Sequence, residues 1–221
     1  MGTVPTDVEG QAADPWRGPA GPAAPGRVID LRGERAAPVE LRYALGDLLV
    51  VSGLPGSGKS TLIRRAVAAL DGRGTPIVCV DSQDSRDRFE RRTPPWLPYG
   101  LYRPLVRLVH FAALRRALRS GASVVVHDCG QRGWVRRWLV RDARRRGAAV
   151  HVLLLAVDAG TALAGQAARG RTVPPRVFAR HRRAMGALVG RVTAGRVPPG
   201  VSSAALLDRA SARAVRVIAF G

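Results

Sequence analysis

Lys59 is the only lysine among the 36 Lys and Arg residues of the chain, and it stands within Gly53-Leu54-Pro55-Gly56-Ser57-Gly58-Lys59-Ser60-Thr61. The spacing G-x-x-x-x-G-K-[ST] is that of a phosphate-binding P-loop. Glycines let backbone N–H groups close around phosphate oxygens, the lysine ammonium reaches the β- and γ-phosphates, and the following hydroxyl meets Mg²⁺. A guanidinium is broad and planar, so arginine cannot replace that compact charge. The pattern therefore predicts that Gly53 to Thr61 bind nucleotide phosphates, with Ser60 as a Mg²⁺ ligand.

The flanking segments suit that loop. Asp47 to Ser52 reads as a buried strand entering it, and Ser60 to Leu70 as the helix leaving it, whose N-terminus adds an anion site of its own. Further along, Ile77–Val80, Ser123–Val126 and His151–Val157 read as short apolar strands, with Ala204–Leu207 as a fifth. Helices are predicted over Tyr102–Ser120, with Leu105, Leu108, Val109 and Ala112 as its packing face, and over Trp134–Arg146, Thr161–Ala168 and Pro175–Arg191, with another helix closing the chain. Strands alternating with helices imply an α/β fold: a P-loop NTPase three-layer sandwich with a mostly parallel, five-stranded sheet and a short lid. Residues 1–40 are rich in Gly, Pro and Ala, bury little apolar surface and read as a disordered tail, apart from a short edge strand near Val28–Leu31. Residues 41–221 form the domain.

Ligands of open parallel sheets bind beyond the carboxyl ends of the strands. Asp81, after the second strand, is placed to take the proton of an attacking hydroxyl; Asp84 is the alternative base. Asp128 ends the third strand as a Walker-B-like acid would, orienting Mg²⁺, while His127 reads as a packed or hydrogen-bonded histidine rather than a catalyst. Arg169 and Arg171 flank Gly170 in the candidate lid, from which a guanidinium could neutralise charge on the transferring phosphoryl group.

The net charge of +20 is compatible with phosphate-rich partners, although arginine in place of nearly all lysine also suits a compositional bias. Cys79 and Cys129 lie in or beside apolar runs, as buried thiols in a reducing compartment would. No apolar run reaches the length of a membrane span and the N-terminus has no apolar signal core, so the expectation is a cytoplasmic protein without membrane partners.

From Leu48 to Met185 the chain resembles the P-loop kinases related to the 5′-hydroxyl polynucleotide kinases and their AAA-domain relatives. The resemblance rests on the P-loop, on Val80-Asp81-Ser82-Gln83-Asp84, on Val124-Val125-Val126-His127-Asp128 and on Arg169-Gly170-Arg171-Thr172-Val173-Pro174. It implies that Asp81 is the general base and that Arg169 contacts the phosphates. The chain departs from that pattern at three places. Asp84 stands where the family has an arginine, leaving Arg86 or Arg88 to substitute. Asp128-Cys129-Gly130 replaces Asp-x-Asn, and Gly165 replaces an arginine. The resemblance implies transfer of the γ-phosphoryl group of ATP to a hydroxyl, either a polynucleotide 5′-hydroxyl or one on a small molecule. The alternative is an ATP-binding switch or nucleic-acid-binding module with weak or no kinase activity. With no second lysine, the Asn/Thr-Lys-x-Asp guanine-reading motif of GTPases cannot occur. Trp96 and Tyr99, with Arg136, Arg137, Arg141, Arg144 and Arg145, are candidates to hold the acceptor by stacking and by phosphate contact.

Overall fold

The computed structural model describes residues 26–33, 39–81, 88–89, 91–94, 96–97, 99–128, 133–168, 170 and 173–221. Strands β1 (Arg27–Asp30), β3 (Leu48–Gly53), β4 (Val78–Val80), β5 (Val124–Asp128), β6 (Val150–Leu155) and β7 (Ser203–Leu207) form a six-stranded sheet in the order β1-β7-β6-β3-β5-β4, with every pairing parallel. The edge strand expected near Val28 is β1, which adds a sixth strand to the five of the expected sheet. The P-loop strand β3 lies between β5 and β6 and is buried along its whole length.

Alternation along the strands divides the interior in two. Leu48, Val50, Val124, Val126, Val152 and Leu154 face a core closed by helices α2 (Tyr99–Arg119), α3 (Gly133–Arg145) and α5 (Pro175–Thr193). Leu49, Val51, Val125, Leu153 and Leu155 face a core closed by α1 (Lys59–Ala66) and by a second sheet of β2 (Val39–Tyr43) and β8 (Val215–Phe220). Helix α4 (Ala159–Ala167) follows β6, and α6 (Arg209–Ala214), with Asp208 as its capping-box residue, follows β7. The result is the expected three-layer sandwich.

Several local expectations are corrected. The chain ends in β8 rather than a helix, because Ile218 and Phe220 pack into the second core and pair with β2. Helix α1 stops at Ala66, four residues short of Leu70, where Val67 takes an extended conformation and bridges Ile218. On α2 the buried stripe is Tyr102, Val106, Leu114, Ala117 and Leu118, whereas Leu105 and Leu108 are 54% and 66% exposed and Ala112 is exposed. Only a narrow stripe of this helix meets β4 and β5, so Leu101, Leu105, Leu108, Ala112 and Ala113 stay exposed. Cys79 is exposed, since it points away from the core that Val78 and Val80 join. Cys129 lies outside the described residues.

At the amino ends of the central strands a buried polar network fixes their alignment. Asp47 Oδ1 accepts from Ala149 N at 2.7 Å, its Oδ2 lies 3.0 Å from His151 Nε2, and His151 Nδ1 lies 2.7 Å from Ser203 Oγ. An ionised carboxylate can only accept, so Nε2 carries the proton in this contact. The chain thereby ties β3, β6 and β7 together at the end of the sheet opposite the P-loop.

Candidate functional site

Between Gly53 and Lys59 the backbone must fold back on itself at the carboxyl edge of the sheet. Gly56 and Gly58 sit at φ +91° and +98°, a region that L side chains rarely adopt. At Gly53 a Cβ would come within 2.7 Å of Ser57 Oγ and 3.1 Å of Leu155 Cβ. Gly58 caps α1 without a side-chain bond, so the first N–H groups of the helix keep their donor capacity for an anion. Lys59 is 4% exposed, and its Nζ donates to the carbonyls of Gly53 and Leu54 at 2.8 Å each. Pro55 and Ser57 are half-buried, and Thr61 is exposed in the first turn of α1.

Asp81 directly follows β4, next to β5 at the same edge. Its Oδ2 accepts from Ser60 Oγ at 3.0 Å, and its Oδ1 lies 2.6 Å from His127 Nδ1. The latter distance allows charge pairing when the imidazole is protonated, but the ring orientation does not make an aligned hydrogen bond. The period of two along β5 explains the grouping. Val125 and His127 share the α1 face of the sheet with Ser60, whereas Val124, Val126 and Asp128 belong to the other face. From the sequence, His127 has a packing or hydrogen-bonding role rather than a catalytic one. The signal that could have placed it is its alternation with Asp128 on a strand adjacent to the one that delivers Asp81.

Asp128 pairs in register with Ser52 at the end of β3. Its Oδ2 is buried and accepts no hydrogen bond among the described residues, and Arg136 Nη1 on α3 is 4.0 Å away. Ser52 Oγ and Ser57 Oγ are likewise buried without hydrogen-bond partners among the described residues. The oxygen donors of Ser60, Asp81 and Asp128 suit a hard cation such as Mg²⁺. Among the described residues no three His, Cys, Asp or Glu side chains form a cage. Such an ion would then rest on one or two of these oxygens together with nucleotide phosphates, the usual manner of Mg²⁺.

Helix α4 braces the loop from the other side. Asp158 caps it by accepting from Thr161 N at 2.8 Å, and hydrogen bonding from the Thr161 side chain, then from its backbone N–H, holds the carboxyl below the usual carboxylate range. Gln166, 5% exposed, donates through Nε2 to Pro55 O at 3.1 Å and accepts through Oε1 from Val173 N at 2.9 Å. It joins the P-loop to the segment after the candidate lid, and nothing in the sequence patterns singled it out. A Cβ on Gly165 would lie 2.4 Å from Gly56 O, so no side chain fits there. This explains why a glycine occupies the place where the resemblance leads one to expect arginine. Gly170 has φ +62°; Arg169 and Arg171 lie outside the described residues, as do Asp84 and Arg86, and Arg88 is exposed.

The expected acceptor cleft divides. Trp96 is 77% exposed, and Pro98 and the Tyr99 side chain lie outside the described residues. Arg136 approaches Asp128, while Arg137, Arg141, Arg144 and Arg145 line a separate cavity.

A central parallel sheet, two flanking layers and a glycine-rich loop clasping a buried lysine define a P-loop protein of the three-layer α/β class. Within that class the chain belongs to the AAA domain family, whose profile matches residues 48–188, nearly the span from Leu48 to Met185 over which its motifs resemble the P-loop kinases. No curated protein matches the chain. Among solved structures it is similar to a candidate kinase from Chloroflexus aurantiacus, with 14% identity, TM-score 0.46 and coverage of 80% of this chain and 88% of that one. It is similar to the tunicamycin resistance protein of Deinococcus radiodurans at 15% identity and TM-score 0.41, covering 68% of this chain and 84% of the other. A structure from the PezAT chromosomal toxin-antitoxin system of Streptococcus pneumoniae aligns at 12% identity and TM-score 0.44 over 62% of this chain, which spans 56% of that structure's length. Among the described residues no helix is long and apolar enough to cross a membrane.

Proposed function

We propose that the protein is an ATP-dependent phosphotransferase that moves the γ-phosphoryl group of ATP to a hydroxyl acceptor. The observation that carries this reading is Asp81, a carboxylate set 3.0 Å from the P-loop hydroxyl of Ser60 at the strand ends where an acceptor would enter. The loop amides and Lys59 bind and orient the β- and γ-phosphates. Asp81 Oδ2, once released by the Ser60 hydroxyl, takes the proton of the attacking hydroxyl as its oxygen bonds to the γ-phosphorus and the bond to the β–γ bridging oxygen breaks, leaving ADP. Ser60 and Asp128 would hold Mg²⁺, which when bound neutralises phosphate charge. Arg169, with Arg171 as the second guanidinium, would approach the same phosphates from the segment after α4.

A screen with γ-labelled ATP against 5′-hydroxyl DNA and RNA, nucleosides, sugars and antibiotics tests the reading. A labelled acceptor is the expected result. ATP binding at the loop with no label transferred to any acceptor would overturn it in favour of a nucleotide-gated binding module.

A further inference from the structure

Away from the P-loop, at the amino-terminal edge of the sheet, α3 and the turn before β7 line an open cavity of about 490 Å³. It is bordered by the exposed Arg137, Arg141, Arg144 and Arg145 and by Val140, Pro199 and Gly200. The fold makes this end remote from the nucleotide loop. Helix α3 runs antiparallel to the strands, so Arg144 and Arg145 lie five or more residues before β6 begins at Val150, and Gly200 lies just before β7 begins at Ser203. The length of β3, about 20 Å at the usual rise per residue, separates the two ends.

Two features mark the cavity as built rather than incidental. Gly200 sits at φ +77°, and a Cβ there would lie 2.4 Å from Val140 Cγ1 and 3.2 Å from Arg144 Nη2. The turn is therefore pressed directly against the helix. The only acid on α3, Asp142, is paired with Arg146 at 3.1 Å. Among the described residues no carboxylate pairs with Arg137, Arg141, Arg144 or Arg145. The dipole of a helix C-terminus favours cations in the last turn, which accounts for Arg144 and Arg145 but not for Arg137 and Arg141 in the middle. Like charges converging on one cavity repel each other unless an anion lies between them.

We propose that this cavity is a second phosphate-binding site, which holds the backbone of a single-stranded nucleic acid independently of the P-loop. From Arg137 to Arg145 the row runs about 12 Å along the helix. A nucleic-acid strand carries a phosphate about every 3.4 Å of axis, and at wider intervals once extended, so the row meets more than one. Guanidinium forks match phosphate oxygens in pairs, and the exposed ring of Pro199 offers an apolar surface to sugar or base. The charge of +20 draws such a polyanion in from a distance.

Fluorescence anisotropy with a labelled 12-nucleotide oligothymidine tests this. The double variant Arg141→Gln/Arg144→Gln is compared with Arg182→Gln/Arg183→Gln, which removes the same charge from exposed positions on α5. The cavity variant should weaken binding at low salt tenfold or more and flatten the slope of log affinity against log salt by about 1.4, for two lost phosphate contacts on a single strand. The α5 variant should change either quantity far less. Equal losses in the two double variants would reduce the effect to diffuse charge and overturn the site, as would an absence of binding. Competition by polyglutamate of equal charge as effective as that by unlabelled oligonucleotide would assign the cavity to acidic protein segments and overturn the nucleic-acid reading.

Discussion

Gly165 lies within α4, where alanine would ordinarily be the better residue by about 1 kcal/mol, because glycine gives up more backbone freedom on entering a helix. Gly165→Ala should nevertheless destabilise. The added Cβ would sit 2.4 Å from Gly56 O, about 1 Å inside ordinary contact, and both sides of the clash are backbone, so no rotamer relieves it. Overpacking of this kind costs about 1–3 kcal/mol, which sets the net change between nearly zero and about 2 kcal/mol of lost stability. The strain also falls on Gly56, whose φ of +91° shapes the phosphate loop. Nucleotide affinity should therefore drop as well, by about tenfold. Gly186→Ala on α5 is the control. A Cβ there meets nothing within 4 Å, so helix propensity alone should raise the melting temperature by about 2–4 °C. Differential scanning calorimetry and titration with ADP on both variants decide the matter. If Gly165→Ala melts higher, as Gly186→Ala should, and binds ADP like the parent, then α4 does not brace the loop and the argument fails.

Lys59→Ala removes both the ammonium expected at the β- and γ-phosphates and two 2.8 Å bonds within the loop, so calorimetry should find ATP·Mg affinity reduced by at least tenfold; unchanged affinity would contradict the phosphate-loop assignment. Asp81→Asn keeps an oxygen to accept from Ser60 but loses the base, so kcat on a true acceptor should fall by about 10²–10⁴ with ATP affinity little altered, and near-full turnover would move the role elsewhere. Asp208 caps α6, and N–H groups of Ser211 and then Gly33 hold its carboxyl below the usual range, so its contribution is complete above the unfolded value near 3.9 and fades as pH falls through the lowered folded value. Asp208→Ala should cost about 1 kcal/mol in urea unfolding at pH 6, and the difference from the parent should shrink on going to pH 3; a pH-independent difference would show that the charge is not what matters.

The sequence was most legible where chemistry dictates residue type. Only glycine tolerates the backbone of Gly56 and Gly58, and only a compact ammonium suits Lys59, so the loop, the strand before it and the parallel α/β plan could be read from spacing alone. Strands such as Val150–Leu155, apolar apart from His151, are buried on both faces and show as nearly continuous apolar runs, which fixes their type without knowledge of their neighbours. Tertiary structure alone decided which side chains meet. The pairing of Val39–Tyr43 with Val215–Phe220 joins segments from opposite ends of the domain, and the α2 stripe that packs was set by where the helix meets β4 and β5 rather than by where its apolar residues fall. The same holds at the loop. His127 reaches Asp81 because two adjacent parallel strands end side by side, and Gly165 is small because Gly56 O lies against it. Contacts of that kind follow from strand order and layer packing, which local residue patterns do not encode.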